Sequence, residues 1–180
     1  MKPTVQIKDK TFELSIPAAQ IDQAVNTIAK EIDRDLTGKE PLFLVVLNGA
    51  FMFASDLMKK VTIPCQISFV KLASYQGIGS TGKMKELIGL NEDITNRTVV
   101  IIEDIVDTGF TMEKIINTLQ AKHPKEIRVA TFFHKPEALQ RPVPLNYVGM
   151  KIPNDFIVGY GLDYDGLGRN LPDIYTLKTE

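Results

Sequence analysis

The sequence predicts a three-layer α/β fold with a mainly parallel central sheet flanked by helices. Three observations carry that expectation. The run Leu42-Phe43-Leu44-Val45-Val46-Leu47 is apolar at every position, as a strand buried on both faces requires. Ile21, Val25, Ile28 and Ile32 recur at the spacing of one helix face. Strand-like and helix-like pieces then alternate along the chain, the order that builds parallel sheets.

The first helix is opened by Ser15 and Pro17 and closed by Gly38. After the strand at 42–47, a helix is expected over 51–60 and strands over 66–72 and 98–102. A second amphipathic helix, 111–121, carries Ile115, Ile116 and Leu119 on its apolar face. Strands over 127–133 and 156–160 complete the pattern. Arg141-Pro142-Val143-Pro144 reads as a loop too short to divide the chain. With 180 residues, 44% of them hydrophobic, and no internal repeat, one domain spanning 1–180 is expected.

Charge limits the partners. Lys and Arg number 21 against 22 Asp and Glu, so there is no general basic field to hold nucleic acid or an anionic membrane, and any anion site must be built locally. No apolar run approaches the ~20 residues of a membrane helix. The first residues lack the apolar stretch of a signal peptide, and a cytoplasmic protein is expected. The single cysteine, Cys65, excludes an intrachain disulfide and is expected to be a small buried hydrophobe. Two well separated histidines give no zinc site.

In open parallel sheets ligands bind beyond the carboxyl ends of the strands. There the chain reads Val99-Val100-Ile101-Ile102-Glu103-Asp104-Ile105-Val106-Asp107-Thr108-Gly109-Phe110-Thr111. A β-branched strand runs into two adjacent acids, then a third, then Thr-Gly-x-Thr at a helix start. Free N–H groups at a helix N-terminus, with the Thr108 and Thr111 hydroxyls, suit a phosphate. Glu103 and Asp104 beside it suit sugar hydroxyls or a hydrated Mg2+. Together they describe a ribose 5-phosphate site.

This segment resembles the phosphoribosyl-diphosphate signature of the type I phosphoribosyltransferases, and from about Leu42 onward the chain is similar to the hypoxanthine-guanine branch of that family. The resemblance implies a small hood built from the N- and C-terminal segments and a mobile lid loop at about 74–90, with Ser74 and Tyr75 as the lid's serine-tyrosine pair. It implies that Glu103, Asp104, Ile105, Val106, Thr108, Gly109, Phe110 and Thr111 hold the ribose phosphate and that the turn at Gly49 holds diphosphate. Lys135 matches the lysine that contacts the purine 6-oxygen. Phe156 is the candidate to stack on the base, and the backbone of Ile157 the candidate to pair with its edge. Asp163 matches a carboxylate that joins Glu103 and Asp104 around Mg2+, and Arg169 an arginine that contacts diphosphate. Asp107 is expected to handle the purine N7 proton. Asn48 and Phe110 depart from the family, which often has Lys at both positions.

The activity so implied is Mg2+-dependent transfer of a phosphoribosyl group to a 6-oxopurine base, hypoxanthine and guanine above all, from phosphoribosyl diphosphate, in a homodimer or homotetramer. A ligand-sensing regulator of the same fold is the alternative, but it usually needs a basic surface or an attached helix-turn-helix. Gly77-Ile78-Gly79-Ser80-Thr81-Gly82 also satisfies a dinucleotide fingerprint. Ser74-Tyr75-Gln76 separates it from the preceding strand, and Lys83 to Leu90 would give barely two helical turns, so that reading is rejected.

Overall fold

The computed structural model describes residues 2–75 and 84–178. Strands β1 (Thr4–Ile7) and β2 (Lys10–Ile16) precede helix α1 (Ala18–Leu36), strand β3 (Leu42–Leu47) and helix α2 (Phe51–Met58). Strands β4 (Gln66–Tyr75), β5 (Met84–Ile88) and β6 (Thr98–Val106) lead to helix α3 (Phe110–Gln120). Then come β7 (Glu126–His134), β8 (Tyr147–Lys151), β9 (Ile157–Val158) and β10 (Ile174–Leu177). The main sheet has the order β5-β4-β3-β6-β7-β8. All neighbours in it are parallel except β5, an antiparallel edge on β4.

The continuous apolar runs feed two cores. Phe43, Val45, Val100, Ile102 and Ala130 face α1 and α2, while Leu42, Leu44, Val99, Ile101 and Val129 face α3. Successive side chains of a strand point to opposite faces, so a strand covered on both must be apolar at every position. A second, antiparallel sheet, β1-β2-β10-β9, joins the two ends of the chain around Ile7, Phe12, Val158 and Tyr175.

Several expectations need correction. Residues 156–160 do not form a strand of the main sheet: only Ile157 and Val158 are extended, and they close the edge of the second sheet. Positive φ at Gly159, Tyr160 and Gly161 turns the chain away immediately afterwards. The parallel edge is instead β8, whose short Tyr-Val-Gly-Met-Lys sequence has no distinctive alternation. The segment 84–88 is strand, paired Lys71↔Ile88 through Tyr75↔Met84, so much of the stretch expected as a lid loop at about 74–90 is a β-ribbon. Residues 76–83, the middle of the expected lid, lie outside the described residues. Strand β6 continues four residues past Ile102 because Glu103, Ile105 and Val106 still pair with Thr131, Phe133 and His134. Helix α1 is capped by Asp173, whose Oδ1 accepts from the Ala18 N–H at 2.7 Å, and not by Ser15. Cys65 is exposed, contrary to expectation, because it lies in the connection ahead of β4. Among the described residues, no helix is long and apolar enough to cross a membrane.

At the amino end of the sheet the charges are fully matched. Glu126 accepts from Lys39 at 2.9 Å, from the Thr98 hydroxyl at 3.0 Å and from Arg128 Nε at 3.1 Å. Arg128 Nη1 also donates to the Tyr147 hydroxyl at 2.8 Å and reaches Asp35 at 3.5 Å.

Candidate active site

Strand β6 delivers Glu103 and Asp104 to the carboxyl end of the sheet, and the chain then winds through Asp107, Thr108 and Gly109 into α3. These residues line a cavity of about 290 Å3 with Ile105, Val106, Thr111 and Met112. Gly109 is the helix N-cap at φ 86°. The first amides of α3 lack helical partners and face a site that suits an anion. The loop is braced from behind, since the N–H groups of Gln140 and Arg141 both donate to the Thr108 carbonyl at 3.0 Å.

Glu103 is 7% exposed and has no cation beside it among the described residues. Its Oε1 accepts only from the Asp104 N–H at 3.2 Å, and Asp104 Oδ1 from the Ile105 N–H at 2.7 Å. Burial pushes the Glu103 carboxyl well above the usual range, and the Asp104 charge adds to it. Burial raises Asp104 as well, with local hydrogen bonds and Arg169 pulling the other way. Such a pair is costly unless a cation or hydroxyl donors arrive.

The turn after β3 comes next. A Cβ on Gly49 would fall on the Asp104 carboxylate, and one on Gly161 would fall on the Gly49 carbonyl. The backbones therefore touch where any side chain would intervene. The Leu47–Asn48 peptide is cis. Arg169 Nη1 donates to the Gly161 carbonyl at 2.7 Å, and Nη2 pairs with Asp163 Oδ1 at 2.6 Å. Asp163 Oδ2 accepts from the Gly166 N–H at 2.7 Å. Asp163 is thus paired with Arg169, and no group of three His, Cys, Asp or Glu side chains able to hold a metal forms among the described residues. Glu103 and Asp104 still suit Mg2+, which commonly takes one or two protein carboxylates and completes its shell with water and substrate phosphates.

Lys135 is buried at 7% exposure, a position that composition alone would not give a lysine. Its N–H donates to the Val106 carbonyl at 3.0 Å, and its Nζ stands 3.6 Å from Asp107 Oδ2. Phe156 is exposed at 47%, with one edge held by Tyr164 and another side by Phe12. Its carbonyl accepts from the Leu177 N–H at 2.9 Å. By the alternation of an antiparallel ladder, the polar backbone groups of Ile157 then face the open edge of the sheet. The Ile157 residue also lines a separate cavity of about 460 Å3 with Ile16 and Met150. Ser74 and Tyr75 end β4, and their side chains lie outside the described residues.

Two features escaped the sequence reading. Arg141 sets its guanidinium 5.0 Å over the exposed Phe110 ring, returning a cation beside the phosphate loop where Phe110 replaces the common Lys. Gly161 is the second, although the run Gly159-Tyr160-Gly161 marks a backbone that must bend and approach closely.

The chain matches the phosphoribosyl transferase domain family over residues 17–165. It is 40% identical over 169 residues to a hypoxanthine-guanine phosphoribosyltransferase of Mycobacterium avium, covering 90% of this chain and 83% of the relative. It is 36% identical to a hypoxanthine phosphoribosyltransferase of Salmonella typhimurium, covering 90% and 93%. A crystal structure of the hypoxanthine phosphoribosyltransferase of Staphylococcus aureus superposes with a TM-score of 0.85 at 36% identity, covering 92% and 91%. With the family matched across most of its length and the fold shared with enzymes of that name, the chain belongs to the phosphoribosyl transferase domain family.

Proposed function

We propose that this chain is a purine-salvage transferase that joins hypoxanthine, and also guanine, to phosphoribosyl diphosphate, releasing diphosphate and the nucleoside 5′-monophosphate. The observation that carries the reading is the buried Lys135, whose Nζ stands 3.6 Å from Asp107, a residue lining the cavity built from Glu103 to Met112. An ammonium donor there favours a purine 6-carbonyl over a 6-amino group.

The loop amides and the Thr108 and Thr111 hydroxyls receive the 5′-phosphate, and Glu103 and Asp104 face the ribose hydroxyls. The open edge at Ile157 and the exposed Phe156 ring offer the base an edge and a face. N9 of the base attacks C1′ as the bond from C1′ to diphosphate oxygen breaks, and the diphosphate leaves with that electron pair. Asp107 accepts the N7 proton, and Lys135, 3.6 Å away, stabilises the charge on the purine oxygen. The Gly49 turn and Arg169 orient the leaving diphosphate. Mg2+, held through Glu103 and Asp104, would supply neutralisation of the leaving group's charge. Self-association as a homodimer or homotetramer belongs to the same reading, and the exposed Phe51, Ile67 and Phe69 offer apolar surface for it.

Purified protein incubated with Mg2+, phosphoribosyl diphosphate and each of hypoxanthine, guanine, xanthine and adenine tests the reading. Nucleotide is expected from hypoxanthine and guanine and none from adenine. No nucleotide from any base would refute it.

A further inference from the structure

We infer that Tyr160 and Asp56 form a latch that holds the Gly49 turn against the loop carrying Asp163 and Arg169, and so sets the width of the diphosphate end of the site. The inference rests on the transferase reading and deepens it. Tyr160 is a positioning residue, since nothing places its hydroxyl in the cavity.

Tyr160 is 4% exposed and adopts φ 46°, a left-handed conformation unfavourable for a bulky side chain. The ring is fixed against Phe132 at 5.1 Å between centroids. Its single polar atom, the hydroxyl, donates to Asp56 Oδ2 at 3.0 Å, across 104 residues of sequence. Asp56 lies on α2, and the first turn of that helix grows directly from Asn48 and Ala50, whose carbonyls accept from the Phe51 and Ala54 N–H groups. Lys59 holds the other Asp56 oxygen at 2.7 Å. One residue beyond Tyr160, Gly161 abuts the Gly49 carbonyl and accepts from Arg169, which pairs with Asp163. The hydroxyl thereby closes a circuit through α2, the Gly49 turn, Gly161 and Arg169. A plain core tyrosine would need only some acceptor. This one uses the helix that supports the opposite wall of the site.

The test compares Tyr160→Phe, which keeps the ring, with Asp56→Leu and Asp56→Asn, the last retaining an oxygen acceptor. Two measurements are made: steady-state KM for each substrate, and calorimetric binding of inorganic diphosphate with Mg2+. Tyr160→Phe and Asp56→Leu are expected to raise KM for phosphoribosyl diphosphate about tenfold, with KM for hypoxanthine within about twofold and diphosphate bound about tenfold more weakly. Asp56→Asn is expected to stay near wild type. Diphosphate affinity unchanged in Tyr160→Phe and Asp56→Leu, or both KM values rising together, would overturn the latch. A wild-type protein that binds diphosphate but transfers nothing would instead refute the transferase reading, and the diphosphate titration would still decide the latch. Should Tyr160→Phe fail to fold, Asp56→Leu carries the same comparison from a side chain about one-third exposed.

Discussion

The two ends of β6 and β7 treat carboxylates in opposite ways. At the amino end, burial alone would raise the Glu126 carboxyl, but hydrogen bonds from Lys39, Arg128 and Thr98 outweigh it and bring the value down to about 2. At the carboxyl end, the buried Glu103 lies beside the half-buried Asp104, their hydrogen bonds come from backbone N–H groups, and burial raises both. The same strands therefore hold one acid site that is complete in itself and one left waiting for partners from outside. The first stabilises the fold and the second costs stability, a cost found where binding or chemistry occurs.

Removing divalent cations is expected to separate the two ends most sharply. A chelator should abolish nucleotide formation, with activity returning on adding Mg2+, while the stability contributed by Glu126 is unchanged. Persistent transfer in the chelator would deny the proposed role of Mg2+ at Glu103 and Asp104. Next in size is Asp107→Asn, expected to lower kcat by about 10²–10³ while nucleotide affinity changes little. Unchanged turnover would remove Asp107 from proton transfer.

At the other end, Glu126→Gln is expected to cost about 1–3 kcal/mol in urea unfolding, because Lys39 and Arg128 lose a shared charged acceptor, with KM for both substrates unaltered. The smallest effect is its pH dependence. Glu126 has a folded value near 2, below its ordinary 4.5, so its contribution is present above pH 4.5 and is lost as pH falls toward 2. The stability gap between wild type and Glu126→Gln should narrow over that window, and a gap that widened on acidification would contradict the assignment.

The sheet was legible because strands buried on both faces leave an unmistakable apolar run, as at Leu42–Leu47. The acid-to-phosphate loop was legible because Glu103 to Thr111 is contiguous in the chain. What escaped was made of long-range partners or weak local pattern. The Glu126 network joins Lys39, Thr98 and Arg128 from separate elements, and the Tyr160–Asp56 bond spans 104 residues. The burial of Lys135 follows from the strand pairing of Val106 with His134, which no single-sequence pattern reveals. The short strands β8 and β9 carry too few residues for alternation to show, and the apolar Phe156 to Tyr160 run resembles a main-sheet strand although only Ile157 and Val158 are extended, in the second sheet.

The contrast rests on Glu103 being an unfavourable charge site until ligand arrives. At pH 8 a buried carboxyl with a raised pKa costs stability whether it ionises against burial or takes up a proton scarce in the solvent. Thermal unfolding of wild type and Glu103→Gln at that pH, each with and without Mg2+ and phosphoribosyl diphosphate, measures this directly. The expected result is a free Glu103→Gln protein that unfolds about 2–4 °C above wild type, as follows from a gain of about 1 kcal/mol in a chain of this size. Adding ligand should raise wild type by much more than the variant. A variant less stable than wild type when free, and raised by ligand as much as wild type, would contradict it.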